Sequence, residues 1–385
     1  MKKQICAFTG SRADYYPAKD LFKSIRNDKY FSFKLIVTGA HLSKDFGPTY
    51  KDIEKDNFEI IKVPINLSLD SRSELLRSMG SSLYGFSKSI DSIRPDLCLV
   101  IGDRYESFLG ALASYVKLIP IAHISGGEVT EGVLDEGFRH SITKFSQLHF
   151  TSLECYRKRV IQLGEMPDTV HTVGEIGLSN FSKLKFYNRK QIEEILKCKL
   201  LKNSFLVTYH PDTLSERLGS EDLKILLNAL RSLKKTTIII TKPNADPGNI
   251  ALNKIISNFV DSSDGFVKVV TTLGDRLYSS ILNQVNGVIG NSSSGIWEVP
   301  SYKKGTINIG LRQKGRIRAK SVIDCDCHLK SIQKAIKKLT SKKFQEILKT
   351  VENPYYRPNT CEKIIKEIKE FDLGTSTQKS FYDVD

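Results

Sequence analysis

The stretch QICAFTGSRADYY, residues 4–16, decides the fold: an apolar run of strand length closes on Gly10 and gives way to a polar segment with helical spacing. The same change recurs at KLIVTG (34–39), EIIKVP (59–64), LCLVIGD (97–103), IPIAHISGG (119–127), LHFTS (148–152) and VHTVG (170–174). Between these runs the spacing predicts helices over 17–27, 73–93, 105–117 and 137–146, the last carrying Phe138, Ile142 and Phe145 on one face. Strands alternating with crossover helices predict an α/β domain with a parallel sheet, complete by residue 175. The rhythm restarts at FLVTYH (205–210) and continues through TTIIITKPN (236–244), FVKVV (266–270), GVIGNSSSG (287–295) and TINIG (306–310), so a second α/β domain is expected over 176–362. CEKIIKEIKEF (361–371) reads as an amphipathic helix and the last polar residues as a loose tail. No repeat of 20–50 residues links the halves.

The 385 residues suit two domains, and 40% hydrophobic with 26% charged residues excludes wholesale disorder. No run approaches the ~18 apolar residues of a membrane helix, and MKKQICAFTG is too short in apolar residues for a signal peptide, so the chain is expected to be cytoplasmic with no membrane partner. Seven scattered cysteines read as reduced thiols; Cys325, Cys327 and His328 lack a second ligand cluster, so no metal is expected. The net charge of +15 fits nucleic acid, an anionic membrane or a phosphate-bearing substrate, or simply lysines on solvated helix faces, as in residues 330–350. No basic stripe interleaved with aromatics is present, which sets nucleic acid aside.

Ligands of open parallel sheets bind beyond the carboxyl ends of the strands. The first strand ends in TGSRADYY, without the glycine fingerprint of a dinucleotide site. There Arg12 and Asp14 suit an anion-contacting loop, Gly10 being otherwise a plain turn. LCLVIGDRYES delivers Asp103 as a catalytic candidate and Arg104 as a substrate-binding one, or the two as a surface ion pair capping the next helix. IPIAHISGGEVTEGVLDEGFRH then places Glu128 after two glycines and Asp135 before the helix bearing Arg139. Each acid alone reads equally well as a helix cap; three at neighbouring strand ends suit general acid–base work. In the second domain His210 ends a strand, Asn244 and Asp246 lie on a proline-rich loop, and GVIGNSSSGIWEVP offers Ser292, Ser293, Ser294 and Gly295 at a helix start with Glu298 one turn on. Hydroxyls and free N–H groups there suit a diphosphate, with Glu298 on a ribose; an unliganded serine cap is the alternative. Arg312, Lys314, Arg316 and Arg318 follow, as a phosphate clamp or a solvated basic turn.

GSRADY (10–15), GDRYE (102–106), GGE (126–128), DEGFRHSITK (135–144), KRVIQLGE (158–165), GNSSSGIWEVP (290–300) and TINIGLRQKGR (306–316), in this order along nearly the whole chain, resemble the hydrolysing UDP-N-acetylglucosamine 2-epimerases of bacterial sialic-acid and capsule biosynthesis. The resemblance implies a glycosyltransferase-B-type fold, two Rossmann-like domains with a ligand cleft between them and residues 363–385 returning to the first. It implies a UDP-sugar substrate, no cofactor, a homo-oligomer (dimer or tetramer), and elimination of UDP to a 2-acetamidoglycal followed by hydration to N-acetylmannosamine. Asp103, Asp135 and His210 match catalytic positions and Glu128 shares that set, while Ser292, Ser293 and Glu298 would hold UDP and Arg12 would reach the diphosphate. Many relatives carry glutamate two residues after the histidine of the fifth strand; here that position is Ser125, and Tyr16 stands where relatives often have glycine. The alternatives are the same reaction on UDP-2,4-diacetamido-2,4,6-trideoxyglucose, as in legionaminic acid pathways, or a glycosyltransferase of the same fold.

Overall fold

The computed structural model describes residues 2–44, 49–67, 71–131, 133–179, 181, 185–210, 219–243, 248–263, 266–372 and 377–384. The chain forms two compact units, one of Met1–Val129, Leu134–Asn180 and Tyr355–Asp385, the other of Thr130–Val133 and Phe181–Pro354. The return to the first unit thus begins at Tyr355, ahead of the helix expected to make it.

In the first unit the strands are β1 (Lys3–Thr9), β2 (Phe31–Thr38), β3 (Ile60–Val63), β4 (Leu97–Ile101), β5 (Ile121–Ile124), β6 (Leu148–Thr151) and β7 (Val170–Thr172). They pair in the order β3-β2-β1-β4-β5-β6-β7, every pair parallel, as crossover helices require. Both faces are covered, which is why Cys98, Leu99 and Val100 of β4 are all buried without polar alternation. One face packs Ile5, Leu35, Leu99 and Phe150 against Leu21, Phe22 and Ile25; the other packs Cys6, Phe8 and Val100 against Phe86, Ile90 and Leu109. Order reverses at β1, whose neighbours β2 and β4 lead away in opposite directions, and that switch point is where open sheets leave a crevice.

The helix after β1 starts at Arg12, five residues before the expected 17, because Ser11 and Asp14 form a capping box; Pro17 lies inside it. The closing helix Thr360–Glu370 buries Cys361, Ile364 and Ile368 in the first unit's core, and the Thr360 hydroxyl donates to the Val173 carbonyl at 2.8 Å. The tail read as loose is held: Gln147 Nε2 donates to the Thr377 carbonyl at 3.1 Å and the Tyr382 N–H to the Gly164 carbonyl at 3.0 Å.

The second unit has β8 (Asn203–Thr208), β9 (Thr236–Thr241), β10 (Val267–Val270), β11 (Gly287–Gly290), β12 (Gly305–Ile309) and β13 (Val322–Cys325), paired in parallel as β10-β9-β8-β11-β12-β13. This repeats the first sheet's topology, with the switch point between β8 and β11. Its core joins Phe205, Val207, Ile238 and Ile307 to Leu226, Leu230, Ile336 and Leu339. Among the described residues no helix is long and apolar enough to cross a membrane.

Candidate active site

In the first unit the chemistry gathers where β4 and β5 end side by side. Asp103 follows Gly102, whose carbonyl meets His123 Nε2 of β5 at 2.9 Å and whose N–H donates to the Ile124 carbonyl at 3.0 Å. These bonds fix the two strand ends together, so the Asp103 carboxylate leaves the sheet beside the turn that carries Glu128. Ser125 opens that turn in the left-handed region, φ 67°, and Gly127 holds φ 74°. A methyl group at Gly127 would stand 2.4 Å from the Tyr156 carbonyl oxygen, so the turn passes where only glycine fits.

Arg139 is the hub. It is 1% exposed, donates Nη1 to the Glu128 carbonyl at 3.0 Å, and pairs with the carboxylates of Asp103 and Glu136. Burial works against its charge, but Asp103, Glu128 and Glu136 together outweigh that cost and raise its pKa above the usual guanidinium value. The Glu128 side chain is buried and accepts from the Ser152 hydroxyl at 3.2 Å. Asp135 begins the helix Asp135–Phe145 half-buried. Of the acids expected here, Asp103 and Glu128 are joined through one arginine; the sequence places Glu136 three residues before Arg139 but does not signal the hub, because the Arg139–Asp103 pair spans thirty-six positions and leaves no local pattern.

Arg104 turns instead to Glu106, Nε to Oε2 at 3.2 Å and Nη2 to Oε1 at 3.4 Å. Glu106 is buried, which raises its pKa; the charge of Asp14 adds to this and Arg104 opposes it. Arg12 stands half-buried at the first helical position, its pKa lowered by desolvation. Asp14 was expected on the ligand. Its Oδ2 accepts from the N–H groups of Gly10 at 2.7 Å and Ser11 at 3.2 Å, and its Oδ1 from the Ser11 hydroxyl. A carboxylate so occupied builds the loop rather than reaching out of it.

In the second unit the ends of β8 and β11 are tied by Asn291, which accepts from the His210 N–H at 2.7 Å and donates to the His210 carbonyl at 3.0 Å. Gln313 Nε2 in turn donates to the Asn291 carbonyl at 2.9 Å. The serine turn begins here, with Ser292, Ser293 and Ser294 half-buried. The helix it opens, Ser294–Trp297, is a single turn followed by a 3-10 turn, so any anion affinity rests on N–H groups and hydroxyls rather than on a long helix dipole. The turn is anchored from below: the Thr306 hydroxyl of β12 donates to the Gly295 carbonyl at 2.7 Å. Ser294 shares a hydrogen bond with the Tyr278 hydroxyl. Glu298 caps this helix at its C-terminal end, and burial raises its pKa, countered by Ser294. Arg316 is buried against Trp297 at 4.2 Å from the ring centre and donates to Gln313 Oε1 at 2.6 Å. Lys314 pairs with Glu131 at 2.6 Å and Arg318 with Asp324 at 2.8 Å, so the basic loop is largely stitched to its own unit. Asn244 and Asp246 lie outside the described residues.

The family model described as UDP-N-acetylglucosamine 2-epimerase matches residues 23–369. The chain is 40% identical over 384 residues to a hydrolysing GDP/UDP-N,N'-diacetylbacillosamine 2-epimerase of Campylobacter jejuni, covering 100% of each. It is 38% identical over 385 residues to polysialic acid biosynthesis protein P7 of Escherichia coli, covering 99% of this chain and 98% of that one. The solved UDP-GlcNAc 2-epimerase of Neisseria meningitidis bound to UDP-GlcNAc superposes with a TM-score of 0.80 at 17% identity, covering 96% of this chain and 100% of that one.

Proposed function

Because the chain belongs to the UDP-N-acetylglucosamine 2-epimerase family, we propose that it converts UDP-N-acetylglucosamine and water into UDP and N-acetylmannosamine. It is a hydrolysing UDP-sugar 2-epimerase; the sugar and the residue roles are the proposal. A base removes the C2 proton, the electron pair forms the C1–C2 double bond, and the C1–O bond breaks as UDP leaves. Water then adds its oxygen at C1 while C2 regains a proton on the opposite face, giving the manno sugar. The observation that carries this reading is the first unit's acid cluster, with Asp103 and the Glu128 backbone held by one buried arginine beyond adjacent strand ends.

Asp103 is the proton-transfer residue, with Glu128 and Asp135 serving the return of the proton and the delivery of water. The serine turn and Arg316 of the second unit take the diphosphate, and Glu298 takes the ribose. His210, fixed by Asn291, assists departure of the phosphate. A second reading has a specific support: the Campylobacter relative, 40% identical along its whole length, is described as acting on N,N'-diacetylbacillosamine nucleotides. That sugar differs at C4 and C6 and leaves the chemistry at C1 and C2 unchanged.

The test is turnover in deuterated water of UDP-N-acetylglucosamine beside UDP-2,4-diacetamido-2,4,6-trideoxyglucose, followed by proton NMR. N-acetylmannosamine with deuterium at C2, formed faster than the diacetamido product, is the expected result. Preference for the diacetamido substrate transfers the assignment to the second reading, and release of UDP from neither sinks both.

A further inference from the structure

The helix Asp135–Phe145 carries Asp135, Glu136 and Arg139 in its first turns, and its far end is finished by a residue from the C-terminal tail. Lys379 Nζ donates to the Ser146 carbonyl at 2.6 Å and the Thr143 carbonyl at 3.4 Å, the position at which a cation satisfies the last carbonyls of a helix. The same ammonium lies 2.5 Å from Glu165 Oε2, and Glu165 is buried, accepting also from Lys144 Nζ at 2.6 Å and meeting His149 Nε2 at 3.1 Å. Phe381 covers Gly164 and receives Lys144 on its ring at 4.9 Å. Thr143, whose carbonyl Lys379 caps, returns its hydroxyl to the Arg139 carbonyl at 3.1 Å and meets His123 Nδ1 at 3.1 Å. His123 in turn meets the Gly102 carbonyl beside Asp103. A continuous set of contacts therefore runs from the tail, through the helix, to the residues that hold the acid cluster.

We propose that Lys379, set by the tail segment Thr377–Tyr382, is a positioning residue for the acid cluster, fixing the helix from which Arg139 holds Asp103. Its catalytic consequence rests on the proposed function; the capping itself does not. A displaced helix moves Arg139 and with it the carboxylate geometry, so the loss falls on turnover and not on nucleotide binding. Lys379→Met keeps the length and removes the charge. It lowers kcat for UDP release about tenfold with KM within about twofold, and Lys379→Arg restores most of the rate.

The second measurement needs no substrate. Hydrogen exchange at the amides of residues 143–146 speeds up about tenfold or more in Lys379→Met and in a chain ending at residue 376, and is restored by arginine. Unchanged kcat in Lys379→Met, or a loss that arginine does not restore, overturns the catalytic part. Unchanged exchange at the helix end overturns the capping part. If the unaltered chain releases no UDP from either sugar nucleotide, the proposed function falls and the exchange result still decides the role of the tail.

Discussion

Asp103→Asn keeps the outline of the side chain and removes the charge that Arg139 holds, which makes it the sharpest question at the scale of one residue. Loss of a general base costs roughly 10²–10⁴ in rate, so turnover of the variant drops by about 10³ while UDP affinity, measured by calorimetry, stays within about twofold. A collapse of UDP binding along with turnover assigns Asp103 to structure instead. Arg139→Met asks the complementary question. It takes from Asp103 and Glu136 the guanidinium they share, and breaking such a pair costs about 3–5 kcal/mol, less here because both carboxylates keep some contact with solvent and Glu136 also meets His140 at 3.1 Å. A urea titration showing a loss of about 2–3 kcal/mol, together with inactivity, fits the hub; an active variant of normal stability removes it from the account.

At the scale of elements, the strands were legible because apolar runs of four to eight residues buried on both faces leave a plain trace, and their ends named Asp103, Glu128, His210 and the serine turn. What escaped has more than one cause. β13 carries Asp324 inside its four residues and follows a basic loop, so no unbroken apolar run marks it. Arg139 read as one helical cation among many, and Lys379 as part of a solvated tail, because their partners lie far along the chain: Glu165 is 214 positions from Lys379. Helix starts shifted where a capping box outweighed a proline. In the Gly126–Gly127 turn the structure uses Gly127 to clear a carbonyl of the neighbouring helix. Gly127→Ala therefore combines a left-handed backbone penalty of ~1 kcal/mol with a backbone clash, for a total loss of roughly 2–4 kcal/mol by urea denaturation. Because this turn delivers Glu128, activity falls beyond the fraction unfolded. A variant of unchanged stability means that the helix carrying Tyr156 yields, and the turn is then no rigid mount.

Across the whole molecule the titrating burden is uneven. The first unit holds His41, His123 and His149 fully buried; burial lowers all three, His41 to about 4 and His123 to about 3. A base with a lowered folded pKa is neutral in the fold while its unfolded counterpart takes up a proton below about 6.5, so stability falls as pH drops from there toward the folded value, by ~1.4 kcal/mol per unit for each histidine. Glu165, lowered to about 2, extends the loss: its contribution is whole above the unfolded value near 4.5 and disappears as pH falls through 2. Glu106, raised by burial, acts in the opposite sense and recovers part of the loss as it becomes easier to protonate. In the second unit the raised carboxyl of Glu298 gains on acidification, and His210 is the buried histidine among its described residues. Between pH 7 and 5 the first unit is therefore the one that weakens. The single tryptophan, Trp297, belongs to the second unit and reports on it alone, whereas far-ultraviolet circular dichroism reports on both. Lowering the pH from 7 to 5 drops the dichroism midpoint by roughly 10 °C, counting a net of about two to three protons in the first unit, and moves the tryptophan midpoint by much less. Equal shifts of both signals, or a tryptophan transition that moves first, contradict the assignment of the acid-sensitive core to the unit that carries the carboxylates.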